Sequence, residues 1–282
     1  MSRHTSWSDW VESGEWADSS DSAVPMLPAL AADVIDLAMD PDIGIARLAR
    51  VIVKDQALAT QVLRLANSAY CAPMQDVTTV NDAIVRMGTG PVRNVVLALC
   101  VTSRLQGAYV NGPQGQDLMD HAIGTAYLAR LVAERVGVDP DEAFMCGLLH
   151  DLGKLLLLKL ARDFLKIGAP TPSTQEMDTV CRDRHPEIGA RLLRQWQLPE
   201  ALENPVRYHH DPAAASAAHN QGAAVAYMAN RLSHRYGFGC PREDAELLED
   251  PICTRLGLNE TWLADFDRRA PGLFQIARQI GG

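Results

Sequence analysis

The sequence predicts an all-α protein, a two-lobed helical bundle. Apolar residues recur at helical spacing from Pro25 almost to the C-terminus, which is typical of amphipathic core helices. No stretch alternates apolar and polar residues with period two, and no strand-helix-strand rhythm appears. With 282 residues, 47% of them hydrophobic, the chain can bury one large core or two modest ones.

The first lobe is predicted over residues 24–107. Thr79 is expected to cap a short helix that Gly88 ends, and a long helix is expected over residues 92–105. The loop 107–115, with three glycines and a proline, is the predicted boundary to the second lobe. The spacing of apolar residues predicts the earlier helices of this lobe at 27–37, 45–52 and 58–65.

The second lobe is predicted over residues 116–235. Gly137 closes its first helix, Asp139 caps the next, and Ser173 begins a capping box with Glu176. The remaining helices are expected at 186–196, opened by Pro186, at 199–210 and at 223–232.

The two ends of the chain differ from these lobes. Residues 1–22 are polar and acidic and are predicted to be a disordered tail, whose three tryptophans suit docking on the domain or on a partner. Residues 236–282 are predicted to be a C-terminal helical extension that caps the bundle, with service as a partner helix as the alternative.

Charge and cysteine usage exclude several classes of function. The 26 basic against 35 acidic residues give a net charge of -9, so no nucleic-acid partner and no anionic membrane surface is expected. The six cysteines are scattered without C-x-x-C and are interpreted as reduced thiols. Because the N-terminus lacks signal-peptide features and no apolar run spans a bilayer, a cytoplasmic location is expected.

The stretch from Met145 to Lys154 carries the chemistry of this sequence. His150 and Asp151 follow an apolar helix and precede Gly153, which is expected to turn the chain. A histidine nitrogen and a carboxylate oxygen placed side by side can converge on one divalent cation. An isolated pair of this kind can equally be a buried histidine held by a polar neighbour.

Four more histidines make the metal interpretation stronger, and each has a structural alternative. His121 lies one helix upstream and can be a core histidine, whereas His185 can be a simple helix-start residue. His209 and His210 are adjacent, so on a helix their side chains diverge by about 100°. The two histidines are therefore not expected to bind one ion in the same way. They suit two ions better, or one ion bound by one histidine while the other contacts a ligand of that ion.

The ordered series of histidines resembles the HD superfamily of metal-dependent phosphohydrolases, and the fuller pattern resembles the HDOD domain. The resemblance spans roughly residues 24–235 and rests on the stretches Leu27-Pro28, 55–70, 83–88, 143–154, 185–199 and 209–212. It implies an all-helical domain in two lobes, with an HD-like second lobe. Such domains occur in bacterial signalling and regulatory proteins, usually without demonstrated enzymatic activity.

Two departures from the hydrolase pattern bear on activity. Hydrolases of the superfamily carry an aspartate as their last metal ligand, and the resemblance places Asn230 there; an amide binds a divalent ion less well than a carboxylate. The Gly-Tyr-Pro of the HD-GYP cyclic-di-GMP phosphodiesterases is replaced by residues 213–218. Lys154 is ordinarily a solvated charge, and the resemblance implies that it can contact a phosphate.

The sequence therefore predicts a regulatory HDOD module that acts by binding a signalling protein, with a bound divalent transition metal but without efficient catalysis. The alternative is a metal-dependent phosphohydrolase acting on a nucleotide or cyclic dinucleotide, with a nucleotide as its ligand. The cofactor expected is iron or manganese, as one or two ions. The predicted metal ligands are His121, His150, Asp151, His185, His209, His210 and Asn230.

Overall fold

The fold is taken from a computed structural model of the chain. The residues that it describes are 6–14, 16, 44–67, 76–96, 99, 113–166, 170–242, 246–268 and 272. These residues form helices and turns, and no strand occurs among them, so the all-α prediction is confirmed. No helix within these ranges is long and apolar enough to cross a membrane.

The first lobe is a small helical cluster. Its helices are α2 (Ile45–Ile52), α3 (Gln56–Ala66), α4 (Val80–Met87) and α5 (89–96). Thr79 caps α4 as predicted, because its hydroxyl oxygen accepts a hydrogen bond from the Asp82 amide (3.1 Å), and Gly88 ends the helix with φ of 89°. Leu48 and Leu65 are buried where α2, α3 and α4 pack together. The predicted helix 27–37 and loop 107–112 lie outside the described residues.

An ionic cluster joins α5 to the second lobe. Asp141 forms ion pairs with Arg93 and Arg130, and Asn94 Nδ2 donates to Asp141 Oδ1 (3.0 Å). Arg93 and Asn94 are buried, so neither side chain can exchange this partner for bulk water without moving.

Replacing Asp141 by alanine is expected to lower the free energy of unfolding by about 2 kcal/mol, because hydrogen bonds to charged groups contribute roughly that much and buried partners are left behind. The matched control is Glu134→Ala, which removes a more exposed carboxylate paired with Arg130 at 3.4 Å. That change is expected to cost less than about 1 kcal/mol. Urea denaturation measures both changes. Equal losses of stability would contradict the importance of Asp141 for its buried partners Arg93 and Asn94.

The second lobe contains the longer helices. They are α6 (Pro113–Val136), α7 (Pro140–Leu149), α8 (Leu152–Lys166), α9 (Thr174–Gln195), α10 (Glu200–Arg207) and α11 (Asn220–Tyr236). Asp139 caps α7 by accepting from the amides of Asp141 and Glu142, and Ser173 caps α9 by accepting from the Glu176 amide, as predicted. Helix α6 packs on α7 and α11, while α9 packs on α8 and α10.

Two predicted helix boundaries are wrong. Pro186 does not open a helix but lies inside α9, which runs unbroken because a proline removes only its own N–H bond and α9 is held along α8. Gly153 does not turn the chain but lies in the first turn of α8. A methyl group built on Gly153 would lie 2.0 Å from the His185 carbonyl oxygen, so glycine is there to let α8 approach α9.

The prediction of a disordered N-terminal tail is wrong for residues 6–14 and for Trp16. Trp7–Ser13 form helix α1, which packs against α8 and α9. Trp7 and Trp16 are buried, and Trp10 stacks on Phe164 with ring centroids 5.3 Å apart. The polar composition concealed a short apolar face, whose tryptophans supply enough buried surface to order the segment.

The C-terminal extension covers the end of α11. It contains α12 (Pro251–Arg255) and a helix α13 at 260–268. Phe266 of α13 is buried and stacks on Tyr236, with ring centroids 5.7 Å apart. Residues 273–282, the last part of the predicted helical extension, lie outside the described residues.

Candidate metal centre

The structure brings all seven predicted metal ligands together in the second lobe. Each comes from a different position in the helical framework. His121 lies on α6, His150 and Asp151 lie in the turn between α7 and α8, His185 lies on α9, His209 and His210 follow α10, and Asn230 lies on α11.

Asp151 lies at the middle of this group, and each of its carboxylate oxygens faces different histidines. Oδ2 lies 3.4 Å from His150 Nε2 and 3.6 Å from His121 Nε2. Oδ1 lies 3.2 Å from His185 Nε2 and 3.8 Å from His209 Nε2. The carboxylate therefore divides the site into an Oδ1 side and an Oδ2 side.

The Oδ1 side is a compact cluster of three histidines, here called the His185 cluster: His185, His209, His210 and Asp151 Oδ1. Its imidazole Nε2 atoms lie close together, with His185 3.1 Å from His209 and 3.2 Å from His210. Asp151 Oδ1 is buried and has no hydrogen-bond partner among the described residues. A buried carboxylate oxygen in such a position is suited to accept an ion, an ordered water or another ligand.

The tautomers of these histidines are set by the backbone. His185 Nδ1 donates to the Cys181 carbonyl and His209 Nδ1 donates to the Val206 carbonyl, each at 2.6 Å. His150 Nδ1 donates to the Gly147 carbonyl at 2.7 Å. With the proton on Nδ1, each Nε2 presents a bare lone pair, and bare lone pairs about 3 Å apart repel one another unless a cation lies between them.

The spacing fits the coordination of one ion. Two imidazole nitrogens bound at roughly 2.1 Å and at a right angle lie about 3 Å apart, which is the separation seen here. Backbone carbonyls that fix the other ring nitrogen are the usual outer partners of metal-bound histidines. The residues present therefore fit a transition metal ion on the Oδ1 side.

The Oδ2 side is less suited to an ion. Lys154 Nζ donates to Asp151 Oδ2 at 2.6 Å, so an ammonium group already neutralises this oxygen. Asn230 Oδ1 lies 3.0 Å from His121 Nε2 and supplies no negative charge. His121 Nε2 also lies 3.3 Å from His150 Nε2.

The prediction that His209 and His210 diverge by helical geometry is wrong. Helix α10 ends at Arg207, and both histidines lie in the turn after it, with ring centroids 4.1 Å apart. Because they are not on a helix, both rings reach His185, and the three side chains can hold one ion together.

Burial sets the charges of the site. It lowers the pKa of His150 to about 3 and that of His210 to about 4, and it also lowers the pKa values of His121 and His209. Burial alone would raise the pKa of Asp151, but its interactions with His150 and Lys154 hold that pKa well below the ordinary value. Neutral imidazoles around an ionised carboxylate are the protonation states that metal binding needs.

Without metal, these lowered histidine pKa values predict acid sensitivity. Below about pH 6.5 the unfolded chain binds protons that the folded site refuses, so stability falls as pH falls, by up to about 1.4 kcal/mol per pH unit for each such histidine. Urea denaturation in chelator between pH 7.5 and 5 measures the slope. His150→Asn is expected to reduce it, and a slope equal to that of the parent would contradict the assignment.

The groups that orient the histidines are not evident from the sequence. They are main-chain carbonyls and Ser233, whose hydroxyl lies 3.2 Å from His121 Nδ1. Every residue carries a carbonyl, so no sequence signal identifies the ones that hold a ring. For His150, His185 and His209 the bonded carbonyl lies only three or four residues upstream, and that short spacing is the one available clue.

The fold and the site define an all-α domain with a histidine-aspartate cluster of the HD type. The sequence profile of the HDOD domain matches residues 24–212, two thirds of the chain, so the chain belongs to the HDOD domain family. A structure of an HDOD domain protein from Geobacter sulfurreducens shares the fold, with a TM-score of 0.75 at 21% identity over 96% of this chain and 99% of that one.

Matches to other relatives cover smaller parts of those proteins. An uncharacterised protein of Treponema pallidum is 29% identical to this chain; the match covers 67% of this chain and 38% of that protein. A ribonuclease Y of Rhodopirellula baltica is 34% identical over 34% of this chain and 14% of its own length. The structure of a proposed signal transduction protein from Marinobacter aquaeolei, 24% identical, shares the fold with a TM-score of 0.72 over 100% of this chain and 67% of that one.

Proposed function

We propose that this chain is a regulatory HDOD module that holds one divalent transition metal ion in the His185 cluster and acts by binding a signalling protein. The observation that carries the proposal is the contrast between the two sides of Asp151. The Nε2 atoms of three histidines, two of them with the proton fixed on Nδ1, converge with a buried carboxylate oxygen on the Oδ1 side. An ammonium group and an amide occupy the Oδ2 side.

The ligand set favours iron or manganese. Imidazole nitrogens together with a carboxylate oxygen suit these ions, and within the described residues the candidate group includes no cysteine that would select a softer one. His210 is exposed while His185, His209 and Asp151 are buried, so the ion would be open to small molecules from the His210 side alone.

Weak phosphodiester turnover follows from the same contrast. Hydrolysis at a two-metal site uses cations about 3.5–4 Å apart that hold the attacking and leaving oxygens. Here Lys154 holds the carboxylate oxygen that a second cation would need, and Asn230 replaces its carboxylate ligand. A single ion with limited access supports binding and stability better than catalysis.

Recognition of a partner protein is supported by the first lobe. It exposes large apolar side chains, with Val53 at 59% and Val85 at 68% of full exposure, and its helices contribute no residue to the His185 cluster. A lobe that takes no part in the metal site is available as a surface for a protein partner. The family membership and the Marinobacter relative are consistent with a role in signal transduction.

The second candidate function is a metal-dependent phosphohydrolase. One comparison favours it: relatives named ribonuclease Y match about a third of this chain, and that name describes cleavage of RNA. A nucleotide or cyclic dinucleotide is the substrate expected in that case. Lys154 would then leave Asp151 and contact a phosphate oxygen.

Turnover assays separate the two functions. Metal-loaded parent protein and its Asn230→Asp variant are incubated with cyclic dinucleotides, nucleoside triphosphates and a generic phosphodiester. We expect little turnover by the parent, and additional metal bound by the variant because a carboxylate then faces His121. Robust parent turnover that is lost in His150→Ala would overturn the binding-module proposal and favour the phosphohydrolase.

A further inference from the structure

A second group of metal-ligating side chains lies beside His121 and away from the His185 cluster. His121, His234 and Cys240 each offer one ligand atom, and these atoms lie within 4.8 Å of one another. The rings of His121 and His234 are tilted against each other with centroids 5.1 Å apart. His121 is buried, whereas His234 and Cys240 are half-buried and so can be reached from solvent.

The chain is built to hold Cys240 at this place. His234 lies in the last turn of α11, and Gly237 then reverses the chain with φ of 72°. Gly239, with φ of 58°, packs its backbone directly on α6, since a methyl group built there would lie 1.8 Å from the Asp117 carbonyl oxygen. The turn therefore places Cys240 close to α6, the helix that carries His121.

His121 can serve this group through Nδ1, the ring nitrogen that does not face Asp151. Its Nδ1 edge faces the segment 233–240, because Nδ1 lies 3.1 Å from the Phe238 carbonyl oxygen and 3.2 Å from Ser233 Oγ. Without an ion, the Nδ1–H group donates to the Phe238 carbonyl. Binding of an ion at Nδ1 requires this proton to move to Nε2, where Asn230 Oδ1 at 3.0 Å accepts it.

We propose that His121, His234 and Cys240 form a separate site for a thiophilic divalent ion of the zinc type. Two imidazole nitrogens and one thiolate are a ligand set that zinc prefers, with a fourth position left for water or another small ligand. On binding, the Cys240 S–H bond breaks, its proton leaves to solvent, and a bond forms between Sγ and the ion.

The site does not depend on the ion proposed for the His185 cluster, but the two are linked through His121. A neutral imidazole has one free lone pair, so an ion at Nδ1 fixes the proton on Nε2 and takes His121 away from Asp151 Oδ2. Zinc bound by His121 and Cys240 therefore disfavours a second cation on the Oδ2 side, because His121 Nε2 then carries a proton that Asn230 accepts and offers no lone pair to that cation.

Cobalt binding tests this assignment in the full-length protein. Co²⁺ is added to chelator-treated protein, and thiolate-to-cobalt charge-transfer absorption in the near ultraviolet is recorded. The His185 cluster contains no sulfur, so the band does not report on that cluster, and its loss on replacing Cys240 assigns it to Cys240. We expect the band in the parent and in His209→Ala, and its loss in Cys240→Ser. Cys253→Ser, which keeps a donor for the Leu258 carbonyl, is the matched control and should retain the band.

A parent without the band, or a band that survives in Cys240→Ser, would overturn the site. The metal site of the His185 cluster is tested separately: metal that is retained by Cys240→Ser but lost by His209→Ala would support that cluster, whatever the result for Cys240. A second measurement needs no variant: Zn²⁺ should protect Cys240, but not the similarly half-buried Cys181, from alkylation by iodoacetamide, as read by peptide mass spectrometry. Equal alkylation with and without Zn²⁺ would contradict the proposal.

Discussion

Replacing Asp151 by asparagine is expected to abolish metal retention by the purified protein. Asp151 is the only carboxylate among the predicted ligands, and in the described part of the chain its Oδ1 is the carboxylate oxygen that faces His185 and His209. Mutating even an outer partner of a metal ligand costs about 10–100-fold in affinity, so we expect the loss of this ligand to cost at least about 100-fold. Asparagine keeps the side-chain volume, which limits the effect on packing.

The matched control is Asp163→Asn on α8, the helix that begins directly after Asp151. Asp163 is also an ion-paired carboxylate, held by Lys159 and Lys166, but it does not touch the histidines. Elemental analysis of protein grown with iron or manganese, purified without chelator, measures the outcome. Metal content of Asp151→Asn equal to that of Asp163→Asn would contradict the proposed centre.

The second large effect is expected from Gly153→Ala. Its new methyl group would lie 2.0 Å from the His185 carbonyl oxygen and 2.8 Å from the Gly189 amide nitrogen. Both atoms belong to the backbone of α9, so the clash is relieved only if α8 and α9 move apart. We expect the free energy of unfolding to fall by about 3 kcal/mol, at the upper end of overpacking costs.

This separation would also move Asp151 away from His185, so metal content is expected to fall with stability. Gly44→Ala is the control, because no atom lies within 4 Å of the added methyl group and Gly44 caps a helix of the other lobe. That change is expected to alter stability by less than about 1 kcal/mol. A Gly153→Ala protein with the parent's melting temperature would show that the helices are not in such close contact.

The helices with strong local signals could be predicted from the sequence. Thr79, Asp139 and Ser173 cap their helices as expected, because a capping side chain bonds to amides two or three residues away and needs no distant partner. The boundaries at Gly153 and Pro186 could not be predicted. Gly153 is required by a contact with α9, and Pro186 is tolerated because packing outweighs one lost backbone bond.

The N-terminal segment illustrates the same limit. Its composition is that of a polar tail, and only the contact of Trp10 with Phe164 and the burial of Trp7 show that it is ordered. Contacts across more than 150 residues of chain leave no local pattern. The sequence could not distinguish tryptophans that dock on the domain from tryptophans that bind a partner protein.

The sequence by itself selected the candidate metal ligands, since their order along the chain resembles one family and their chemistry suits a cation. Only the tertiary structure decided how they share Asp151. Backbone carbonyls fix the Nδ1 protons of His150, His185 and His209, and Lys154 takes Oδ2. Such choices depend on distances of about 3 Å between atoms far apart in the chain, because electrostatic and hydrogen-bond energies change steeply over that range.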